Sequence, residues 1–594
     1  MTLDPNDKWI DEATYPGLKP YPDGLTTGIT SVLQPGSEPY AWGNTGFTPP
    51  EKSSLVIYEL LVRDFLEAHD WTTLTDTLNY LDELGINAIE LMPVNEFEGN
   101  ESWGYNPSFY FAVDKYYGPA DDLKVFIDSC HGRNIAVIID MVLNHSYGQS
   151  PLVQLYYENG KVTADNPWYN VDSPNPVYSW GYDFDHESQD TKDFVDRVNA
   201  YWLDSFRVDG FRFDFTKGFT NTAGEGWSYD PSRIAILKRM ADSIWSVNSE
   251  AYVILEHLTA NAEESVLSDY GMLLWGNMNS SYNEATMAYH DSNKSDFSAT
   301  SYLNRGWDKP HLVGYMESHD EERLMFKNLE FGASSGSYNI QDLNTALERM
   351  SLAGAFFFTV PGPKMIWQFG ELGYDYSIDY DCRVCNKPIR WDYYDTGMRR
   401  WVYQLWSALI DLKKNEPAFR SDDFTLSVAG AAKRIEINHE SMDVRIIGNF
   451  DVTQLSMEAS FSQTGWWYDY FSGDSLEVSD LHMQLPLEPG AFNIYTSVSL
   501  TQPDITASVP GEDLEYNSMQ LYPNPFVDVV YLEPWKSESQ LSVSNLAGME
   551  IFTRRVEPFV EQIDLSELPE GIHILTRSGA GKNPAYAKMV KLAR

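Results

Sequence analysis

Short apolar runs alternate with amphipathic helical stretches from residue 55 to about 413, and that alternation leaves few folds open. The runs Leu55 to Val62, Ile86 to Met92, Ile135 to Ile139, Val208 to Phe213, Tyr252 to Leu255, Leu312 to Met316 and Met365 to Phe369 have strand length and many β-branched or aromatic side chains. Helical spacing marks Trp71 to Leu84, Ala120 to Gly132, Asp190 to Phe206, Arg233 to Trp245, Asn261 to Ser268, Leu343 to Phe358 and Met398 to Lys413. Strand and helix in turn predict a parallel sheet with helices outside it. Seven strands are clear and an eighth, weaker one lies near Met272 to Trp275, so the reading is α/β: a closed (β/α)8 TIM barrel.

A chain of 594 residues needs more than one domain. Residues 1–52, rich in Pro, Gly and Thr, read as an extended lead-in, and residues 53–415 as the barrel. After His145 the alternation stops until about Ser188, and an insertion this long in a compact domain is usually functional. It would overhang the C-terminal rim of the barrel. From residue 416 to 497 the hydrophobic period becomes two, which predicts an antiparallel β-sandwich. Residues 498–518 read as a Thr/Ser/Pro/Asp/Glu linker, and 519–594 as a small C-terminal β-sandwich.

The formal charge of −45 excludes nucleic acid and anionic membrane surfaces as natural partners and favours a neutral substrate. Aromatic residues make up 14% of the chain, which suits stacking on sugar rings as well as packing of a large core. No run of 18 apolar residues occurs, so no transmembrane segment is expected. The opening Met1-Thr-Leu-Asp-Pro-Asn-Asp-Lys8 has neither the basic region nor the apolar core of a signal peptide. Cys130 lies in an amphipathic stretch and reads as a buried thiol. Cys382 and Cys385 read as a loop disulfide or two free thiols, since zinc would need two further ligands at suitable spacing.

Four segments carry the chemistry: Asp140-Met-Val-Leu-Asn144-His145, Gly210-Phe-Arg212-Phe-Asp214, Ile254-Leu-Glu256-His257 and Glu317-Ser-His319-Asp320. Each ends in acid or imidazole groups at the tip of a predicted strand. Singly, an Asp at a strand end is most often a helix cap and a lone His is structural. Four in order are another matter. Retaining glycosidases place two carboxyls about 5 Å apart across an anomeric carbon. Asp214 suits the nucleophile, with Arg212 on the same side of its strand to keep it ionised. Glu256 suits the general acid/base, its pKa expected to be raised by the Asp214 charge. Asp320 would stabilise an oxocarbenium-like transition state, and His145 and His319 would donate hydrogen bonds to ring hydroxyls. The candidate catalytic residues are therefore Asp214, Glu256 and Asp320. The candidate substrate-binding residues are Trp103, Tyr105, His145, Arg212, Lys217, His257 and His319.

Together with Tyr58-Glu-Leu-Leu-Val-Arg-Asp-Phe65, these segments resemble the α-amylase family, glycoside hydrolase family 13, over about residues 55 to 495. The resemblance implies a B subdomain inserted at 144–186, a β-sandwich C domain, and retaining cleavage of α-1,4-glucosidic bonds in starch, glycogen or maltodextrins. It implies Asp214 as nucleophile, Glu256 as acid/base and Asp320 as stabiliser. Tyr105 becomes a stacking platform beside His145, Arg212 and His319. Leu91 to Asn100 and Trp180 to Glu187 are similar to the branching and debranching members, so transglycosylation, as by a branching enzyme, stays open. A non-catalytic glucan-binding surface protein is the alternative from another class. No cofactor is required by this reading. Calcium is the one candidate ion, with Asn144 matching a family ligand, but the Lys-His pair that many calcium-binding members carry is here Lys217-Gly218. Members that open their barrel this way often carry a preceding β-sandwich, so a trimmed N-terminus is expected.

Leu521-Tyr-Pro-Asn-Pro-Phe526, Leu546-Ala-Gly548, Ile563 to Leu575 and Lys588-Met-Val-Lys-Leu592 resemble the C-terminal sorting domain of the type IX secretion system. That resemblance implies a secreted or cell-surface protein, the secretion machinery as a partner, and a Bacteroidetes-type source. A carbohydrate-binding β module is the alternative.

Overall fold

Parity along each strand decides which side chains enter the barrel. The computed structural model describes residues 2–3, 15, 18, 20–26, 28–33, 35–36 and 38–505. Beyond these it describes 517–518, 521–522, 527–532, 539–544, 550–558, 562–566, 568, 571–579 and 582–591. Eight parallel strands close into a barrel: β1 (Val56–Leu60), β2 (Ala88–Leu91), β3 (Ala136–Met141), β4 (Gly210–Phe213), β5 (Tyr252–Leu255), β6 (Leu273–Asn277), β7 (Leu312–Tyr315) and β8 (Lys364–Trp367). Each pairs with the next in sequence, and β8 closes on β1.

Alternate residues of each strand face opposite sides. Leu55, Ile57, Ala88, Ile138, Tyr252, Ile254, Trp275, Val313 and Tyr315 pack together inside the barrel. Phe211, Phe213, Val253 and Leu255 join the larger cluster beneath the helices. Carrying the inward parity one step beyond β4 and β5 reaches Asp214 and Glu256. Arg212 is registered against Ile254, so these two carboxylates are the next pair up on neighbouring strands. Adjacent strands lie about 4.8 Å apart, close to the gap a retaining glycosidase needs.

Local chemistry starts and stops the helices. Asp70 caps Trp71–Asp76 by accepting from the Thr73 amide at 2.7 Å, and Asp230 caps Pro231–Val247 by accepting from Ser232 at 2.9 Å. The expected helix from Trp71 to Leu84 is two helices broken at Thr77, the second ended by Gly85 at φ 91°. Gly210 begins β4 hard against Tyr252, where an added Cβ would lie 2.6 Å from the Tyr252 nitrogen. Gly210→Ala is expected to destabilise by about 1–3 kcal/mol through overpacking, read as a lower urea midpoint; an unchanged midpoint would contradict this close approach.

Between β3 and β4 the insertion forms two short antiparallel pairs, His145–Ser146 with Tyr182–Asp183 and Tyr157–Glu158 with Lys161–Val162. The described part of the lead-in crosses the lower barrel. There the Gly43 and Asn44 amides donate to Asp128 at 2.7 and 2.8 Å, and Phe47 stacks on His131.

After the barrel come β9 (Phe424–Ser427), β10 (Ala432–Ile437), β11 (Val444–Asn449), β12 (Leu455–Glu458), β13 (Gly465–Asp469), β14 (Ser475–Val478), β15 (Gln484–Leu487) and β16 (Phe492–Thr496). They form an antiparallel sheet ordered β9-β10-β11-β16-β13-β14 and a separate β12-β15 pair. Ile447, Met457, Trp467, Val478 and Leu487 pack between them. Arg349, fully buried, joins this module to the barrel by donating to the Phe450 and Thr286 carbonyls at 2.6 and 2.9 Å.

In the C-terminal unit, Asn517–Ser518, Lys582–Lys591, Gly571–Gly579, Ser539–Ser544 and Glu550–Val556 make one sheet; Leu521–Tyr522, Val529–Leu532 and Gln562–Asp564 make another. Val530 and Ile563 of the second pack with Leu541, Val543 and Leu575 of the first, which makes a small sandwich. Most of the expected linker, Pro523 to Phe526, Leu546 to Gly548 and Leu592 lie outside the described residues. No helix among the described residues is long and apolar enough to cross a membrane.

Candidate active site

One buried guanidinium organises the upper rim. Arg212 donates from Nη1 to both Asp140 oxygens at 2.8 and 2.9 Å and to Asp214 Oδ1 at 3.2 Å, and from Nη2 to Glu256 Oε2 at 2.9 Å. Its flat face covers the Trp275 ring at 4.1 Å. Neighbouring nitrogens of one rigid fork thus hold Asp214 and Glu256 side by side. Their side chains keep 14% and 16% exposure, enough to meet a ligand. The Phe215 amide donates to Glu256 Oε2 at 2.9 Å, which requires Phe215 to sit at φ 46°, ψ 46°. Leu258 and Phe369, past the tips of β5 and β8, share the left-handed region. Strained non-glycine backbone gathered at one rim is a mark of functional sites.

Burial, and next the Glu256 charge, push the Asp214 carboxyl well above the ordinary carboxylate range, and Arg212 only partly opposes them. The sequence reading placed the raised group at Glu256 and expected Arg212 to keep Asp214 ionised. At Asp214 burial and the Glu256 charge outweigh Arg212, which divides its hydrogen bonds among three carboxylates and makes its longest one here. Asp140, beneath, is raised by burial despite Arg212, and accepts from the Tyr105 hydroxyl at 2.5 Å.

His319 stands opposite. Its Nδ1 lies 2.5 Å from Glu59 Oε1 of β1, and its Nε2 3.6 Å from Asp320 Oδ2. Burial opposes the charge, but Asp320 and Glu59 raise its pKa to about 10, so it is cationic. The Tyr105 ring stacks on it at 5.0 Å and the Trp103 ring meets it edge-on at 5.5 Å. Asp320 is 43% exposed; burial acts to raise its pKa, yet His319, Arg383 and Arg212 together hold it below its usual value. Glu90 of β2 is fully buried and neither oxygen has a hydrogen-bond partner; burial and the adjacent Glu59 drive it strongly toward protonation.

Two expected sugar contacts are buried and bonded to protein groups. His257 is fully buried behind Glu256, with Nδ1 2.9 Å from the Thr216 hydroxyl and Nε2 3.0 Å from Glu263. It braces the β5 tip and has no face left for substrate. His145 is 2% exposed and donates from Nε2 to the Tyr105 carbonyl at 2.9 Å. Burial lowers its pKa to about 4, so a neutral His145 holds the Tyr105 loop in place.

Lys217 lies against aromatic faces: its ammonium is 3.5 Å from the Trp227 ring centroid and 5.2 Å from those of Tyr178 and Phe215. Trp180 crosses Phe215 edge-on at 5.0 Å, and Trp180 and Trp227 are about half exposed. This aromatic patch beside Asp214 and Glu256 was missed in the sequence, where only the loop's Trp and Tyr content hinted at it.

The calcium donor set that the resemblance implies is not assembled here. Among the described residues no three His, Cys, Asp or Glu side chains converge as a metal site. The buried amide oxygen of Asn144 has no hydrogen-bond partner, but it is pressed against Gly218, where even a Cβ would overlap it. A His at 218 has no space, so the donor set that the resemblance implies is not built here.

A model of the α-amylase catalytic domain matches residues 64–180, and a model of the secretion system C-terminal sorting domain matches residues 520–591. The stretch matched by the first model is similar to the catalytic domain of the α-amylase family. A malto-oligosyltrehalose trehalohydrolase of Saccharolobus solfataricus is 30% identical over 206 residues, 34% of each chain. A 1,4-alpha-glucan branching enzyme GlgB of Bacillus cereus is 26% identical over 409 residues, 64% of this chain and 60% of the relative. The match thus spans about a third of the trehalohydrolase's length. An α-amylase structure from Anoxybacillus shares the fold with TM-score 0.60 at 19% identity, covering 76% of this chain and 99% of that one. A type I pullulanase structure from Bacillus subtilis gives 0.61 at 19%, covering 79% and 73%. The C-terminal sorting domain marks the protein as secreted or cell-surface.

Proposed function

We propose that the protein cleaves α-1,4-glucosidic bonds of starch, glycogen or maltodextrins with retention, through a covalent glycosyl-enzyme intermediate. The observation that carries this reading is the pairing of Asp214 and Glu256 on neighbouring strand tips under one guanidinium. Asp214 attacks the anomeric carbon while Glu256 protonates the departing oxygen; Glu256 then takes a proton from water, which releases the sugar. Asp320 faces the positive charge that develops on the ring, while Arg212 holds the carboxylates in place. Tyr105, fixed by Asp140 and stacked on His319, offers a hydroxyl-anchored platform. Activity should be bell-shaped in pH, the acidic limb set by the carboxylates that must be ionised, Asp320 among them, and the alkaline limb by the group that must hold a proton.

A second reading is glucan transfer, favoured by the exposed Trp180 and Trp227 beside the carboxylates. Aromatic faces there would hold an acceptor sugar in place of water. The name of the Bacillus cereus relative points the same way. The two readings separate on amylose: hydrolysis gives new reducing ends, whereas transfer gives α-1,6 branches without them. We expect reducing ends at the same rate with and without chelator. Branches alone would overturn hydrolysis, and loss of activity on chelation would show that a bound cation is needed.

A further inference from the structure

The loop after β8 presents a residue that neither the motifs nor the parity argument supplies. Residues 379–387, Asp-Tyr-Asp-Cys-Arg-Val-Cys-Asn-Lys, contain no helix or strand, yet their backbone is held from two sides. Lys387 points its ammonium inward and donates to the carbonyls of Tyr380, Cys382, Arg383 and Cys385 at 3.3, 2.6, 3.2 and 3.0 Å. Arg63, buried and paired with Asp64, donates to the Val384 and Cys385 carbonyls, both at 3.2 Å. A disulfide joins Cys382 to Cys385. With these carbonyls turned onto two cations, the Arg383 side chain projects across the rim. It donates to the Asp320 carbonyl and lies 3.4 Å from Asp320 Oδ1.

An arginine that is half exposed normally contributes little through one ion pair, because ordering its long side chain offsets the attraction. Here the backbone on both sides of it is ordered already. We propose that Arg383 is a positioning residue for Asp320, and that the cross-linked loop around Lys387 is the frame that holds it there. The proposal rests on the reading of Asp320 as transition-state stabiliser. Without Arg383, Asp320 would face His319, Arg212 and the neighbouring Glu321, and it could turn away from the cleft. A secreted protein meets oxidising surroundings, in which such a bond persists.

The test compares Arg383→Met, Arg383→Lys, Cys382→Ser/Cys385→Ser, the triple variant with Arg383→Met, and Asp320→Asn, each as the full chain on a maltooligosaccharide across pH. Arg383→Met should lower kcat about tenfold, the loss of one charge-assisted hydrogen bond, and shift the acidic limb to higher pH because Asp320 loses a cation. Arg383→Lys should restore the limb but only part of kcat. The serine pair, and the native protein treated with excess dithiol, should both show a smaller loss with the same shift. In the second case the disulfide becomes two thiols and the reductant closes its own disulfide; Cys130 is buried and already reduced. The triple variant should be no worse than Arg383→Met alone. A native kcat and pH profile in Arg383→Met would overturn the proposal, and a native profile after reduction would overturn the frame. Full activity in Asp320→Asn would instead sink the role of Asp320.

Discussion

Replacing Glu256 by Gln is expected to reduce cleavage of starch by roughly 10²–10⁴, the loss of general acid/base catalysis, while maltooligosaccharide binding survives. Gln keeps the size of the side chain and can still accept from Arg212 and the Phe215 amide, so the strand tip should stay folded. A finer consequence follows from the two-step chemistry. A maltosyl fluoride needs no proton to expel fluoride, so the variant should still form the covalent intermediate. With no base to activate water, that species should accumulate, visible by mass spectrometry on the peptide that contains Asp214. Native turnover of starch by this variant would remove Glu256 from the mechanism.

Replacing Asp214 by Ala should be more severe still, on the order of 10⁴ or more in kcat, for natural and activated substrates alike. No other side chain at the rim can take its place: Asp140 is fully buried beneath it and tied to Arg212 and Tyr105. A maltosyl adduct on any other residue, or an unlabelled but active protein, would reject the assignment of the nucleophile. Removing Asp214 also removes one of the charges that Arg212 serves, so its contacts to Asp140 and Glu256 should tighten and the fold should hold.

Much of the barrel was legible because a buried parallel strand is a local object: a few β-branched or aromatic residues bounded by turns. Ile254-Leu-Glu256 reads as a strand tip wherever it occurs. The sixth strand was faint because Leu-Leu-Trp-Gly-Asn has no β-branched residue and ends in a glycine and an amide. The helix Asn279–Thr286 was missed for a related reason: Asn-Ser-Ser-Tyr-Asn-Glu-Ala-Thr has weak helical propensity and is ordered by the residues it packs on, Tyr282 lying flat on Phe297. Among site residues, His257 was misread because adjacency to Glu256 in sequence puts it on the opposite parity, away from the cleft.

By itself, then, the sequence determined which side chains stand at the rim, since a period of two commits Arg212 with Asp214 and Ile254 with Glu256 to one face. How those groups share charge was decided only by the tertiary structure. Arg212 meets Asp140 and Glu256 across 72 and 44 residues of chain, and Arg383 reaches Asp320 across 63. Electrostatic coupling depends on separation in space and on burial. Neither is written in the spacing of a motif, which is why the raised Asp214 carboxyl and the Arg383 contact became visible only once the strands had closed.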